Sequence, residues 1–354
     1  MRKRYNVAVV GATGAVGTEM LRVLQERRFP VKRLRLLASA RSRGRRVPFN
    51  GSLHTVEELQ PRSFEGIDVA LFSAGASRSL EFGPEAVKRG AVVVDNSSAF
   101  RMAETVPLVV PEVNPHALKY HQGLIANPNC STIVMLVALA PLHQEARIKR
   151  IIVSTYQAVS GAGAKAIYQL YDETTRALRQ CRVTSGGWRV KPKLRTHHTA
   201  LASPLPGQIA FNVIPQVDVF LKNHSTKEEM KMVNETRKIL EEPKLRISAM
   251  CVRVPVFVSH SEAVWIETAK PLSVQRARAL LRRAPGVRLI DDVASSRYPL
   301  PIDAAGQDAV LVGRLRLDES VPHGLALWVS GDNLRKGAAT NAVQIAELFI
   351  RSDK

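Results

Sequence analysis

Apolar residues in this chain alternate between short valine-rich runs and longer stretches that repeat every three to four positions. Residues 6–10 (Asn-Val-Ala-Val-Val) read as a buried strand, and Val16, Met20, Val23 and Leu24 then share one face of a helix. The strand pattern returns at 34–38, 69–72 and 91–94, with a turn at Ser73 to Gly75 and part of a helix over 84–88. Strands alternating with helices predict a parallel, doubly wound sheet with ligands at the carboxyl ends of its strands.

Beyond residue 129 the pattern changes. Residues 133–142 are apolar almost throughout, which predicts a buried helix. Residues 151–159 read as a strand of a second sheet, ending at Ser160-Gly161-Ala162-Gly163, where another helix should begin. The stretch 182–207 is basic and rich in Pro, Gly and Thr, the pattern of an exposed excursion. Strand character resumes at 209–214, and a charged helix is expected over 227–241. Residues 251–258 and 262–268 alternate as strands with His260 in the turn between them, and a last helix covers 341–350. There is no internal repeat.

A length of 354 residues points to two domains, and 45% hydrophobic with 23% charged residues is ordinary for a globular protein. Cys130, Cys181 and Cys251 lack the close spacing of a disulfide framework or metal site, which fits a reducing cytoplasm. Met1-Arg2-Lys3-Arg4 before the apolar residues 7–16 resembles a secretory signal. Glycines interrupt that run, however, and no stretch reaches the ~18 apolar residues of a membrane span. We therefore expect a soluble cytoplasmic protein that does not engage a membrane. The net charge of +20 is spread over 41–46, 189–195 and 276–283 without a zinc-finger or RNP-like motif. A solvated basic surface that draws in anionic ligands accounts for it better than nucleic-acid binding.

Three stretches carry chemistry. Gly11-Ala12-Thr13-Gly14-Ala15-Val16-Gly17 joins the first strand to its helix, the context in which such a loop cradles a pyrophosphate. After the second strand an NAD site would offer an acidic residue, whereas this chain has Ser39-Ala40-Arg41-Ser42, which suits the 2′-phosphate of NADP. In Ala126-Asn127-Pro128-Asn129-Cys130-Ser131-Thr132, the proline and asparagines read as a tight turn that sets Cys130 at a helix N-terminus. Unpaired N–H groups there should lower the thiol pKa, and Cys130 is the expected nucleophile. Arg101 lies just past the end of the fourth strand.

Taken in order, GATGAVG, SARS, SSAFR, NPNCSTI, QAVSGAG, IAFNVIP, EEMK…ETRKIL, RVPVFVSHSEAV and DNLRKGAATNAVQIAE resemble the aspartate-β-semialdehyde dehydrogenases across nearly the whole chain. The resemblance implies an α/β protein. A Rossmann-type doubly wound domain would comprise residues 1–129 and 333–354, and an α+β catalytic and dimerisation domain residues 130–332. It implies NADP-dependent reductive dephosphorylation of aspartyl-β-phosphate to aspartate-β-semialdehyde, a reversible step towards lysine, threonine and methionine. Cys130 would form the acyl-thioester, His260 would act as acid/base, and Gln157 would orient the intermediate. Arg253 would clamp the substrate carboxylate, Glu228 and Lys231 would contact its amine and phosphate, and Arg101 would join Lys231 at the phosphate. Gly11, Thr13, Gly14, Ala15, Val16, Ser39, Arg41 and Ser42 would hold the cofactor, with Ser160, Gly161 and Asn333 at its nicotinamide half. A homodimer is implied. Ser259 departs from the family, which has glycine before the histidine. Two other readings remain: N-acetyl-γ-glutamyl-phosphate reductase, whose cysteine motif runs closer to NPGCYPT, and a non-catalytic NADP-binding relative with a nucleic-acid-binding surface.

Overall fold

The structure, a computed structural model, describes residues 3–180, 182–184, 187–189 and 204–352. Strands β1 (Tyr5–Val10), β2 (Val31–Ala38), β3 (Arg46–Phe49), β4 (Ser52–Glu58), β5 (Val69–Phe72), β6 (Val92–Asp95) and β7 (Leu124–Ala126) form one sheet. Their order is β3-β4-β2-β1-β5-β6-β7, parallel except for the β3–β4 hairpin at one edge. Alternation sorts β1 between two cores. Val7 and Val9 face α1 (Ala15–Glu26), while Ala8 and Val10 face the layer containing α2 (Ala76–Lys88). The chain leaves β1 for β2 on one side and returns to β5 on the other, so the crevice where the order reverses lies beside Gly11.

Helix α3 (Cys130–Ala146) links this sheet to the second. Every residue from Ser131 to Ala140 is buried, and the helix belongs to one core that includes Phe72 and Val93 of the first sheet and Val153 and Val329 of the second. Complete burial of its Ile, Leu, Met and Val side chains contributes about 1.5–3 kcal/mol each, which fixes the helix that carries Cys130.

The second sheet has the order β11-β8-β12-β15-β14-β13. Its strands are β8 (Ile148–Gln157), β11 (Arg246–Arg253), β12 (His260–Thr268), β13 (Val287–Leu289), β14 (Val310–Asp318) and β15 (Gly324–Gly331). β11 runs parallel to β8, which pairs antiparallel with β12. That register sets Cys251, Thr155 and Glu262 side by side, with Arg253 opposite Gln157 one step towards the crevice. Between these strands come α4 (Ala164–Gln180), a small hairpin of β9 (Arg182–Thr184) and β10 (Gly187–Arg189), and α5 (Lys227–Ile239). α6 (Val274–Arg283) and the short α7 (Pro301–Ala304) follow. Helix α8 (Thr340–Ser352) returns to the first sheet, burying Val343, Ile345 and Ala346 against the α1 core.

Three expectations need correction. Residues 209–214 are not a strand: only Ile214 bridges to Arg253. The buried Glu173 carboxylate accepts the N–H groups of Ile209 and Ala210, which replaces the ladder, and Phe211 turns left-handed at φ 56. His260 is the first residue of β12 rather than part of a turn, because it pairs with Gly331. The 127–129 segment is extended, not a tight turn: Asn129 (φ −62, ψ 144) spends its side-chain oxygen on the N–H groups of Ser131 and Thr132 as the N-cap of α3. Within the stretch 182–207 the described residues include the paired strands β9 and β10, while residues 185–186 and 190–203 lie outside the described residues. Among the described residues no helix is long and apolar enough to cross a membrane.

Candidate active site

A cavity of about 650 Å³ opens where α3, the second sheet and the first sheet's carboxyl edge converge. Its wall includes Val16, Arg101, Cys130, Gln157, Ser160, Gly161, Glu228, Lys231, Arg253 and Asn333, drawn from helices α1, α3 and α5, strands β8 and β11, and the segments after β6, β8 and β15. All ten were expected from the sequence. Gly11, Thr13, Gly14, Ala15, Ser39, Arg41 and Ser42 are not part of this wall. They lie at or just beyond the ends of β1 and β2.

The glycine loop is built for close approach. Gly11 has φ 84, and a Cβ there would stand 2.3 Å from the Ser73 carbonyl oxygen, so only glycine lets β1 and β5 end this close together. Gly14 is the N-cap of α1 and has no side chain to occupy the N–H groups behind it. Thr13 Oγ1 donates to Ser42 Oγ at 3.2 Å, joining this loop to the one after β2, where Arg41 is exposed. These features fit a dinucleotide: bare N–H groups for a pyrophosphate, and hydroxyls and a cation in place of an acidic residue at the ribose.

Cys130 opens α3, and its thiol meets opposing influences. Burial raises its pKa, with Glu228 adding to the effect, while Arg101, Arg253 and the Ser131 N–H oppose it. The result is a thiol pushed up to about 12. This overturns the expected lowering. The N–H at the helix start does act in the expected direction, but enclosure by protein outweighs it.

His260 sits deeper, fully buried, with Nδ1 accepting the backbone N–H of Ala158 at 3.0 Å. A neutral ring held this way carries its proton on Nε2, and Nε2 has no partner within the protein. Burial and the nearby Arg253 hold the ring well below its ordinary pKa. A Cβ on Gly161 would lie 3.3 Å from Nε2 and 3.1 Å from Arg253 Nη1, so that glycine keeps the space above both groups open. Arg253 is itself fixed by Nη1 donating to the Ala158 carbonyl at 2.7 Å.

Glu228 is not a surface partner of Lys231 but a buried hub at 5% exposure. Its Oε1 accepts from Asn129 Nδ2 at 2.8 Å and Gln157 Nε2 at 3.3 Å, and its Oε2 from Lys231 Nζ at 3.1 Å. Lys231 also donates to Asp218 Oδ2 at 2.7 Å. Asn333 accepts from the Ser259 N–H and donates to the Ser160 hydroxyl. Ser259 has φ 77, the left-handed conformation for which glycine is best suited, and its buried hydroxyl has no partner.

Sequence reasoning missed Asp218, Glu235 and Gly337. Glu235 was detectable as the residue two turns beyond Glu228 on the same helix face. Asp218, on a loop, left no periodic signal. Gly337 lies in a π-helical turn at Arg335–Ala339, against Cys130.

Residues 6–121 match the family model for the NAD-binding domain of semialdehyde dehydrogenases, and residues 139–336 match that for their dimerisation domain. The chain is 52% identical over 353 residues to an aspartate-semialdehyde dehydrogenase of Aquifex aeolicus, covering 98% of each chain. It is 51% identical over 348 residues to that of Bacillus subtilis, again covering 98% of each. The crystal structure of aspartate semialdehyde dehydrogenase II from Vibrio cholerae, described as complexed with ASA, superposes with a TM-score of 0.91 at 47% identity, covering 99% of both chains. The chain belongs to the aspartate-semialdehyde dehydrogenase family of NAD(P)-dependent oxidoreductases.

Proposed function

We propose that this chain interconverts aspartyl-β-phosphate and aspartate-β-semialdehyde with NADP and phosphate, in the cytoplasm and as a homodimer. The observation that carries this reading is the convergence of Cys130, Gln157, Glu228, Lys231, Arg253 and Arg101 on one cavity. A thiol, two carboxylate- or phosphate-binding arginines and a carboxylate that can face an amine match a small substrate with those groups.

The Cys130 sulfur attacks the β-carbonyl carbon as its thiol proton passes to the departing phosphate, leaving an acyl-thioester, which divides one hard displacement into two easier steps. NADPH, when bound, supplies a hydride to that carbon. Gln157, steadied by Glu228 and Thr155, lies beside the reacting carbonyl. His260 serves as the acid/base group. Its resting form lends the Nε2 proton to the developing oxyanion, recovers it as the carbonyl re-forms, and passes it to the sulfur as the thiolate leaves, solvent then restoring the proton to the ring. Arg253 takes the α-carboxylate, Glu228 the α-ammonium, and Lys231 with Arg101 the phosphate. The loop 39–42 favours the 2′-phosphate of NADP, and Ser160, Gly161 and Asn333 border the nicotinamide. Residues 1–129 and 333–354 form the cofactor unit, and 130–332 the catalytic and dimerisation unit. Trp265, Trp328 and Tyr156, side by side on the outward face of the second sheet, suit burial against a second copy.

The test is phosphate-dependent reduction of NADP by aspartate-β-semialdehyde, run beside N-acetylglutamate-γ-semialdehyde and NAD. Turnover with the aspartyl substrate is expected, and its loss in Cys130→Ser with NADPH binding retained. Turnover with the longer aldehyde alone would move the chain to the other reductase.

A further inference from the structure

Helix α5 carries a second buried carboxylate that the steps above leave without a role. Glu235 lies two helical turns beyond Glu228, on the same face, and is 1% exposed. Its two oxygens are divided between two segments of the site. Oε2 accepts the backbone N–H of Asn129 at 2.6 Å, and Oε1 accepts Arg101 Nη1 at 3.0 Å. Arg101 is held on its other side by Nη2 donating to the Asn96 carbonyl. Asn129 is held on its other side by Glu228, and its Oδ1 caps the helix that begins with Cys130. One carboxylate thus joins the loop after β6, helix α5 and the residue preceding the nucleophile, segments separated by 106 and 134 positions. A buried carboxylate costs several kcal/mol of desolvation unless it is well paired, so it should persist here only if its two contacts set something the site needs.

We propose that Glu235 is a positioning residue that ties the phosphate-binding arginine to the turn carrying Cys130, fixing the distance between departing phosphate and attacking sulfur. The inference rests on the assignment of Arg101 to phosphate made above. It has two separable consequences. Geometry comes from the reach of the side chain, since both contacts need its full length. Charge comes from the carboxylate, which offsets the guanidinium and keeps phosphate from being held too tightly.

Two substitutions separate them. Glu235→Asp keeps the charge and shortens the reach: kcat should fall about 10–100-fold, the penalty for roughly an ångström of misplacement, with KM for phosphate near wild type. Glu235→Gln removes the charge: kcat should fall similarly, and KM for phosphate should fall about tenfold. In both variants KM for NADP and for the semialdehyde should stay within about twofold of wild type, a pattern that general loosening would not give. Arg101→Gln is the control and should raise KM for phosphate; adding Glu235→Gln to it should leave that KM where Arg101→Gln alone put it. Should Glu235→Gln fail to fold, the Asp variant decides by its kcat. Wild-type kcat in the Asp variant would overturn the proposal, as would a loss shared by every KM together with a lowered unfolding midpoint. No effect of Arg101→Gln on phosphate would instead refute the assignment on which the proposal stands.

Discussion

Gly337 offers a direct way to move Cys130, the proposed nucleophile, without touching it. A Cβ built there would stand 2.9 Å from Cys130 Cβ and 3.3 Å from Cys130 Cα. Ordinary carbon contacts lie near 3.5–4.0 Å, so Gly337→Ala must displace one backbone or the other by roughly 0.5–1 Å. Rotation of a side chain cannot relieve the contact, because both atoms on the cysteine side are fixed to the first turn of α3, capped by Asn129 and buried behind it. Overpacking of this kind costs about 1–3 kcal/mol, partly offset by about 0.5–1 kcal/mol from replacing a glycine in a helical turn. The protein should therefore stay folded, with an unfolding midpoint a few degrees lower at most. Catalysis is more sensitive, since an ångström at the reacting atom costs on the order of 100-fold. We expect kcat in the phosphate-dependent assay to drop about 10–100-fold while NADPH affinity changes less than about twofold. Wild-type kcat in a folded Gly337→Ala enzyme would refute the claim that this turn sets the position of Cys130. A loss of NADPH binding equal to the loss of kcat would refute it as well.

Other perturbations follow from single observations. Ser259→Gly relieves a left-handed serine and removes an unpartnered hydroxyl, so it should stabilise by about 0.5–1 kcal/mol in chemical denaturation; a destabilised variant would contradict the strain. Glu262 is fully buried with neither oxygen bonded, and burial raises its pKa well above the carboxylate range. A folded pKa above the unfolded one contributes stability that is full below about 4.5 and lost as pH climbs towards the folded value. The stability of Glu262→Gln relative to wild type should therefore increase between pH 5 and pH 8, and equal differences at the two pH values would argue against a neutral buried acid. With its thiol pushed up to about 12, ligand-free Cys130 should be alkylated by iodoacetamide about tenfold faster for each pH unit from 7 to 9; a plateau below pH 8 would mean a low-pKa thiol instead. Arg41→Glu should weaken NADP about 10–100-fold while sparing NAD, and equal losses would remove Arg41 from the 2′-phosphate.

What the sequence discloses and what it hides divide along physical lines. Local rules covered the centre of the first sheet, because β1 and the last residues of β2, Leu36–Ala38, are buried apolar runs and Gly11 to Gly17 is a strand-to-helix loop of the kind that cradles a pyrophosphate. The β3–β4 hairpin went unseen: the edge strand Arg46–Phe49 and its neighbour Ser52–Glu58 are mostly exposed, and their sequences carry no clear burial pattern. At 209–214 the apolar residues suggested a ladder, and the actual bonding comes from Glu173, 36 positions earlier, which no local periodicity can show. The residues that line the cavity were legible from motif resemblance, but their electrostatics were not. The N-terminal position of Cys130 on α3 is a local fact and argues for a lowered pKa. The enclosing protein and the carboxylate of Glu228 come from elements about a hundred residues away and argue the other way with greater force. The same division explains Glu228 itself. Paired with Lys231 at i and i+3 it reads as a solvated ion pair, whereas at 5% exposure, accepting from Asn129 and Gln157, it ties together the residues around Cys130. Charges are therefore where sequence reading is weakest in this protein. Their identity is local, but their energy depends on what tertiary folding packs around them, and in this cavity that packing reverses the direction expected for the Cys130 thiol.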